Sequence, residues 1–259
     1  MTFAFDRYPS IRYDAGPPEA SSDRELQAIR KWECAVGYRV FAALRWGQIG
    51  DGHISARDPL RPDHFWVLGY GIPFRAATVD NLVLVAPDGT VVDGGRAVNS
   101  AGYNIHHPVL AAHPTANAAA HTHTPHGTPW SAHAEPFRAI SQESCAFVFD
   151  QAVYEGEDLE VVDTAGGERI AAAMGATKLE ILRTHGLHPG GARPGEAVGR
   201  FVLAERVAED HVQAPAAVAI ADEAAKEVAP GMSHPHVGWR TFQWLARDLV
   251  PYPSVVIGG

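Results

Sequence analysis

Cysteine, basic charge and long apolar runs are all in short supply in this chain of 259 residues. Its two cysteines, Cys34 and Cys145, are isolated, so they build neither a disulfide framework nor a Cys-x-x-Cys metal site; buried thiols of a cytoplasmic protein are expected. The 21 Lys and Arg stand against 30 Asp and Glu, a net charge of −9 without a basic cluster, which disfavours nucleic acid and anionic membrane surfaces as partners. Apolar runs such as Leu82-Val83-Leu84-Val85-Ala86 fall far short of the ~20 residues a bilayer span needs. The first residues show no basic stretch followed by an apolar segment, so no export signal is read there. These exclusions leave a soluble protein acting on a small molecule.

With 46% hydrophobic and 20% charged residues the composition is that of a globular chain, and its length suits one α/β domain. Residues 1–22, with Pro9, Pro17 and Pro18 and no period, are expected to form an arm, and residues 23–259 a single domain with a C-terminal helical tail. From Asp23, Leu26, Ile29, Cys34, Val40, Phe41 and Leu44 recur at helical spacing, predicting a helix to near Gly47. Runs 53–57, 65–68, 82–85 and 91–92 read as strands, the last two joined by the turn Pro87-Asp88-Gly89. Tyr103 to His113 reads as a helix stopped by Pro114. Asn117 to His123 and Cys145 to Phe149 read as buried strands, Glu168 to Met174 as a short helix and Lys178 to Leu182 as a strand. Pro194 to His211 and Trp239 to Leu249 read as amphipathic helices.

Of 14 histidines, His121 and His123 are the most informative. In a strand, residues i and i+2 share a face, so both rings can approach one ion at ~2.0–2.1 Å. A lone His-x-His arises easily by chance in such a chain. His185 ends a second strand beside Gly186, where close backbone approach is permitted. It either completes a facial set of three imidazoles, with positions open to water, oxygen or a chelating substrate, or satisfies a turn. Gly190-Gly191, a few residues on, read as a Gly-rich turn.

The passage Ile105-His106-His107, then His113-Pro114-Thr115-Ala116-Asn117-Ala118-Ala119-Ala120-His121-Thr122-His123, is joined in order to Thr184-His185-Gly186-Leu187. Together with Gly52-His53-Ile54-Ser55-Ala56-Arg57 it resembles the class II aldolase and adducin family, between about Trp46 and His211. The resemblance implies a three-layer α/β/α fold with a mostly antiparallel central sheet. It also implies a homo-oligomer, a tetramer, and one divalent metal ion per subunit on His121, His123 and His185. The family's sugar-phosphate aldolases carry Ser-Ser-Glu ahead of the helix, and that glutamate joins metal binding and proton transfer. Here those positions are Ser100, Ala101 and Gly102, so the acid/base agent is missing. Where that branch has small phosphate donors this chain has His53 and Tyr70, which suit a larger or aromatic, unphosphorylated group.

The stretch from Gly127 to Phe147 is similar to the adducin-type branch and, within it, to the iron-dependent oxygenases of aminocoumarin antibiotic assembly. That similarity implies oxidative decarboxylation of an aryl 2-oxo or 2-hydroxy acid, with Fe(II) as cofactor and O₂ as co-substrate. A Zn(II)-dependent lyase or decarboxylase acting on an unphosphorylated oxo acid is one alternative, and a non-catalytic adducin-like scaffold is another. Candidate catalytic residues are His126, His188 and Tyr103; candidate substrate contacts are His53, Tyr70, Arg57, Ser100 and Trp130. Each has a plainer reading: turn or solvated histidines, a core or interface tyrosine, surface cations at Arg57 and Arg75, a core tryptophan. His106 is expected to be structural, and Glu143 at most a variant fourth ligand. Trp66, Phe137, Phe147 and Phe149 read as core more than pocket, and Phe201, Trp239, Phe242 and Trp244 as core or subunit contacts.

Overall fold

Alternating side chains along short strands send two different sets of residues to two helical layers. The structure, a computed structural model, describes residues 16–158 and 160–251. Its first half runs α1 (Asp23–Ala43), β1 (Gly52–Arg57), β2 (Phe65–Leu68), β3 (Leu82–Val85), β4 (Val91–Asp93), α2 (Ser100–Ala112), β5 (Ala118–Thr122) and α3 (Gly127–Ser131). The second half runs β6 (Gln151–Tyr154), α4 (Thr164–Met174), β7 (Leu179–Leu182), β8 (Gly186–Gly191), α5 (Pro194–Gln213), α6 (Asp222–Met232) and α7 (Pro235–Leu249). The strands form one sheet in the order β4-β3-β2-β1-β5-β8-β7-β6, antiparallel except where β6 meets β7.

On one face, Ile54 and Ala56 of β1, Ala118 and Ala120 of β5, and Leu179 and Ile181 of β7 join the main core with Phe41 of α1, Phe201 of α5 and Phe242 of α7. On the other face α2 and α4 cover the sheet through Ile105, Val109, Ile170 and Met174, packed with Leu182. A mostly antiparallel sheet between two helical layers is the expected fold class. Local chemistry sets the helix ends. Ser22 accepts the Glu25 N–H at 3.3 Å to start α1, with Asp23 and Glu25 favourably placed at the positive end of the helix. Asn99 accepts the Ala101 N–H at 3.0 Å to start α2, three residues earlier than periodicity placed it. Tyr38 pins α1 to β1: its hydroxyl accepts the Ile54 N–H at 2.7 Å and donates to the Ile54 carbonyl at 3.1 Å. Both cysteines are buried free thiols.

Two expectations need correction. Cys145 to Phe149 is not a strand, because residues 143–146 form a turn of 3₁₀ helix. The Ser144 hydroxyl there accepts the N–H groups of Ile140 and Ser141, each at 3.0 Å, and donates to the Ser141 carbonyl at 2.6 Å, offering the backbone an alternative to a ladder. The strand at this edge is β6, a few residues later. The Gly-rich turn expected at Gly190-Gly191 belongs instead to the buried strand β8, whose Pro189 has no N–H to donate. The β5–β8 register accordingly pairs Ala118 with Gly191 and Ala119 with Gly190, then resumes only at Thr122 and Leu187. The expected 1–22 arm falls mostly outside the described residues; residues 16–22 form neither helix nor strand. No described helix is long and apolar enough to cross a membrane.

Candidate metal centre

The face of the sheet under α2 carries the polar residues that β1 and β5 alternate with their core residues. His53 and His121 face each other across the β1–β5 ladder. His121 is the penultimate residue of β5, His123 lies just beyond the strand, and His185 sits on the turn between β7 and β8. Each of these three offers a ring nitrogen, and the nitrogens lie within 4.8 Å of one another. The rings are mutually near-perpendicular, at 78°, 89° and 80°, with centroids 5.4, 4.7 and 5.2 Å apart, as edges converging on one point require.

Two backbone features make the turn possible. Thr184 adopts φ 58, and Gly186 adopts φ 143, a value that favours glycine. A Cβ at Gly186 would also stand 3.4 Å from His121 Cε1. The Nδ1 of His121 donates to the Leu187 carbonyl at 3.0 Å, which leaves Nε2 with its lone pair. His123 Nδ1 faces the Asp51 carboxylate at 3.8 Å. His185 Nδ1 is buried without a hydrogen-bond partner. Burial, reinforced by the neighbouring imidazoles, holds His121 well below the usual histidine range and His185 down to about 4, so both rings are neutral, as ligands must be. This donor set fits one divalent ion.

A cavity of about 720 Å³ adjoins the triad across His53, whose ring lies 5.3 Å from that of His121. Ser100 and Tyr70 also line it, Tyr70 at the rim with 64% exposure. Other expected site residues lie elsewhere. The Arg57 guanidinium is consumed by the carbonyls of Pro62, Leu110, His113 and Ala116, so it staples the loop before β5. Tyr103 donates to the Pro87 carbonyl at 2.8 Å and stacks on His107, away from the triad. Trp130 is core, its ring 4.6 Å from His211 and 5.9 Å from Phe137. Glu143 takes no part in the converging group. His188 is fully buried opposite Glu180 on β7, Nδ1 to carboxylate 3.8 Å, and against the His106 ring. Trp66, Phe137 and Phe147 are buried, as are Phe201, Trp239 and Phe242, whereas Phe149 and Trp244 are half exposed.

His126 turns not to the cavity but to a residue that sequence reasoning missed. The buried Glu205 of α5 accepts from Thr124 Oγ1 at 2.6 Å, His126 N–H at 3.0 Å, His126 Nδ1 at 3.2 Å and Gly127 N–H at 2.7 Å. It thereby fixes the loop that leaves His123. Its signal was present: Glu205 falls in the apolar stripe of Phe201, Ala204 and Ala208, where a charge needs partners. Asp51, behind His123, carried no comparable signal.

Three imidazoles converging at the ends of the central strands β5 and β8, in a mostly antiparallel sheet between two helical layers, form a set that could hold a metal ion. The chain belongs to the class II aldolase and adducin family, whose N-terminal domain pattern matches residues 33–212. It is 32% identical to the 4-hydroxy-3-prenylphenylpyruvate oxygenase/4-hydroxy-3-prenylbenzoate synthase of Streptomyces roseochromogenus subsp. oscitans, over 94% of this chain and 90% of that protein. It is also 32% identical to decarboxylase NovR of Streptomyces niveus, over 96% of each. Among solved structures, the L-fuculose 1-phosphate aldolase of Glaciozyma antarctica PI12 superposes with a TM-score of 0.83 at 30% identity, covering 90% of this chain and 93% of that one.

Proposed function

We propose that this protein is a mononuclear non-haem Fe(II) oxygenase of secondary metabolism that oxidatively decarboxylates an aryl 2-oxo or 2-hydroxy acid. The observation that carries the reading is the pairing of the three-imidazole set with a cavity whose walls, among the described residues, hold no Asp, Glu, Lys or Arg. A phosphate would bring two negative charges to walls that offer no cation. An aryl group instead matches Leu68, Ile72 and Phe74, with Tyr70 at the rim. The names of the two Streptomyces relatives, an oxygenase/synthase of an arylpyruvate and a decarboxylase, support the same chemistry.

A divalent ion on His121, His123 and His185 would supply Lewis acidity toward the acid's oxygens and, as iron, redox access to dioxygen. The chain's own residues keep the His121 and His185 rings neutral, orient His121 through the Leu187 carbonyl, and enclose the aryl group. For an arylpyruvic acid the balance is one O₂ consumed and one CO₂ released. The product is the 2-hydroxy acid one carbon shorter, with one oxygen atom in its hydroxyl and the other in its new carboxylate.

The likeness to an L-fuculose 1-phosphate aldolase supports a second reading, a Zn(II)-dependent lyase on an unphosphorylated oxo acid. A scaffold without turnover is the weakest, because all three imidazoles are present and convergent. We place a single domain over residues 23–259 behind the 1–22 arm. The free thiols support a cytoplasmic location, and the half-exposed Trp244 supports a homotetramer that buries it, which sedimentation would test. The deciding experiment is metal content of anaerobically purified protein together with O₂ uptake on an arylpyruvate. Stoichiometric iron with uptake upholds the oxygenase. Zinc with anaerobic turnover replaces it by the lyase, and neither metal nor turnover leaves the scaffold.

A further inference from the structure

A chain of three buried polar side chains runs from inside the sheet to the cavity, and its hydrogen-bond polarity can be worked out from one end. Ser55 of β1 is fully buried, and the hydrogen-bond neighbour of its hydroxyl is His106 Nδ1 at 2.6 Å. A hydroxyl carries one hydrogen, and buried donors find acceptors. Ser55 therefore donates to His106 Nδ1, which must be the lone-pair nitrogen, and the His106 proton resides on Nε2. That nitrogen lies 2.9 Å from His53 Nδ1, so His106 donates and His53 Nδ1 accepts. The opposite polarity would leave the Ser55 hydrogen sealed in the core without an acceptor. An imidazole whose Nδ1 accepts a hydrogen bond carries its proton on the other ring nitrogen. The single proton of His53 is thus left on Nε2.

The position of that ring is as constrained as its polarity. Nδ1 faces His106, and Cδ2 faces Gly102, where an added Cβ would come within 3.0 Å. The ring occupies the space a side chain at 102 would need. His53 lines the cavity, and its Nε2 is not among the buried nitrogens that lack a partner.

We infer that His53 is a fixed N–H donor aimed into the cavity beside the triad, contacting a carbonyl, carboxylate or developing oxyanion of the substrate, and that Ser55 and His106 are positioning residues that set its polarity. A donor nitrogen has no lone pair for a metal, so His53 is not a fourth ligand. The ligand half of this inference rests on the oxo-acid reading; the tautomer half rests on the hydrogen bonds alone.

Long-range proton–nitrogen NMR correlations of the isotopically labelled, zinc-loaded protein distinguish the tautomers directly. His53 is expected in the Nε2–H form, and phenylpyruvate is expected to move its Nε2–H resonance. Ser55→Ala and His106→Leu should mix the tautomers and weaken phenylpyruvate binding about tenfold, the loss of one neutral hydrogen bond. His106→Gln should preserve both, because its amide accepts from Ser55 and donates to His53. Wild-type His53 in the Nδ1–H form, or coupled to NMR-active cadmium at the triad, would overturn the assignment whatever the variants do. If phenylpyruvate binds and leaves His53 unmoved, the donor role fails while the oxo-acid reading survives. If phenylpyruvate does not bind at all, that reading and the ligand half fail, and the tautomer assignment stands.

Discussion

Replacing Glu205 by Ala should loosen the metal loop more than any other single change outside the triad. The side chain is 5% exposed and accepts from two backbone N–H groups, one hydroxyl and one imidazole nitrogen, all within residues 124–127. Truncation strands three buried non-imidazole donors. At ~1–3 kcal/mol for each orphaned donor, and allowing for water that enters the space, the expected loss is ~3–5 kcal/mol of folding free energy. That is a large share of the ~5–15 kcal/mol available to a domain. Glu205→Gln keeps the shape but turns an amide NH₂ toward donors, so a loss of ~2 kcal/mol is expected. Urea unfolding measures both. Competition with a chelator for zinc measures the second consequence, weaker metal binding, because the loop begins at the residue after His123. An alanine variant within ~1 kcal/mol of wild type, with unchanged zinc affinity, would refute the view that α5 holds this loop through one carboxylate.

Other outcomes follow from the same geometry. Alanine at any one of His121, His123 or His185 should abolish stoichiometric metal by elemental analysis; two variants that keep a full equivalent would show the triad to be wrongly drawn. Gly102→Ala should push the His53 ring aside and weaken arylpyruvate binding while zinc binding persists, and calorimetry showing unchanged affinity would contradict the tight fit at that position. His211 donates from Nδ1 to the Val207 carbonyl at 2.7 Å and accepts the Arg138 N–H at Nε2 at 2.8 Å. Burial against Trp130 and Phe137 lowers its pKa, Arg138 adding to the effect and Asp210 opposing it. The stability that its neutral ring contributes is complete above the unfolded value of ~6.5 and is lost as pH falls below it toward the folded value. Unfolding free energy should therefore decline between pH ~7 and ~5, and decline less in His211→Gln; equal slopes would remove His211 as the cause.

Much of this architecture was legible in the sequence because the informative residues sit in runs with a clean period. Leu82 to Val85 and the His-x-His strand have the spacing of strands, and the stripe from Val198 through Phe201 to Ala208 has that of a helix. What escaped is instructive in physical terms. Strand β8 contains Pro189 and three glycines, a composition that local propensity assigns to a turn. It is a strand because β5 and β7 flank it and α5 presses close; a Cβ at Gly191 would lie 2.9 Å from the Ala197 nitrogen. Cys145 to Phe149 looked like a strand because apolar content cannot register that the Ser144 hydroxyl rewires the local backbone. Trp130 and Arg57 were residue types suited to a pocket, but one lies in a ring cluster and the other is saturated by carbonyls. The triad was readable only through the family resemblance, since its spacing and its His-Gly turn alone left His185 open to a turn role. Its supports, Glu205 and the Ser55–His106 pair, depend on which helix covers which face.

The alternation along β1 and β5 has a consequence for how the protein matures. Pairing sets His53 opposite His121 and Ile54 opposite Ala120, so ring nitrogens and aliphatic carbons are sorted to opposite faces by register alone. A slip of one residue in β5 would turn His121 into the α1–α5 core, and a slip of one residue in β1 would turn Ile54 toward the imidazole face. A slipped β5 could keep much of its ladder yet would remove His121 from the triad. A metal held by the triad would therefore favour the correct register of β5, because its binding free energy is gained only where all three imidazoles converge.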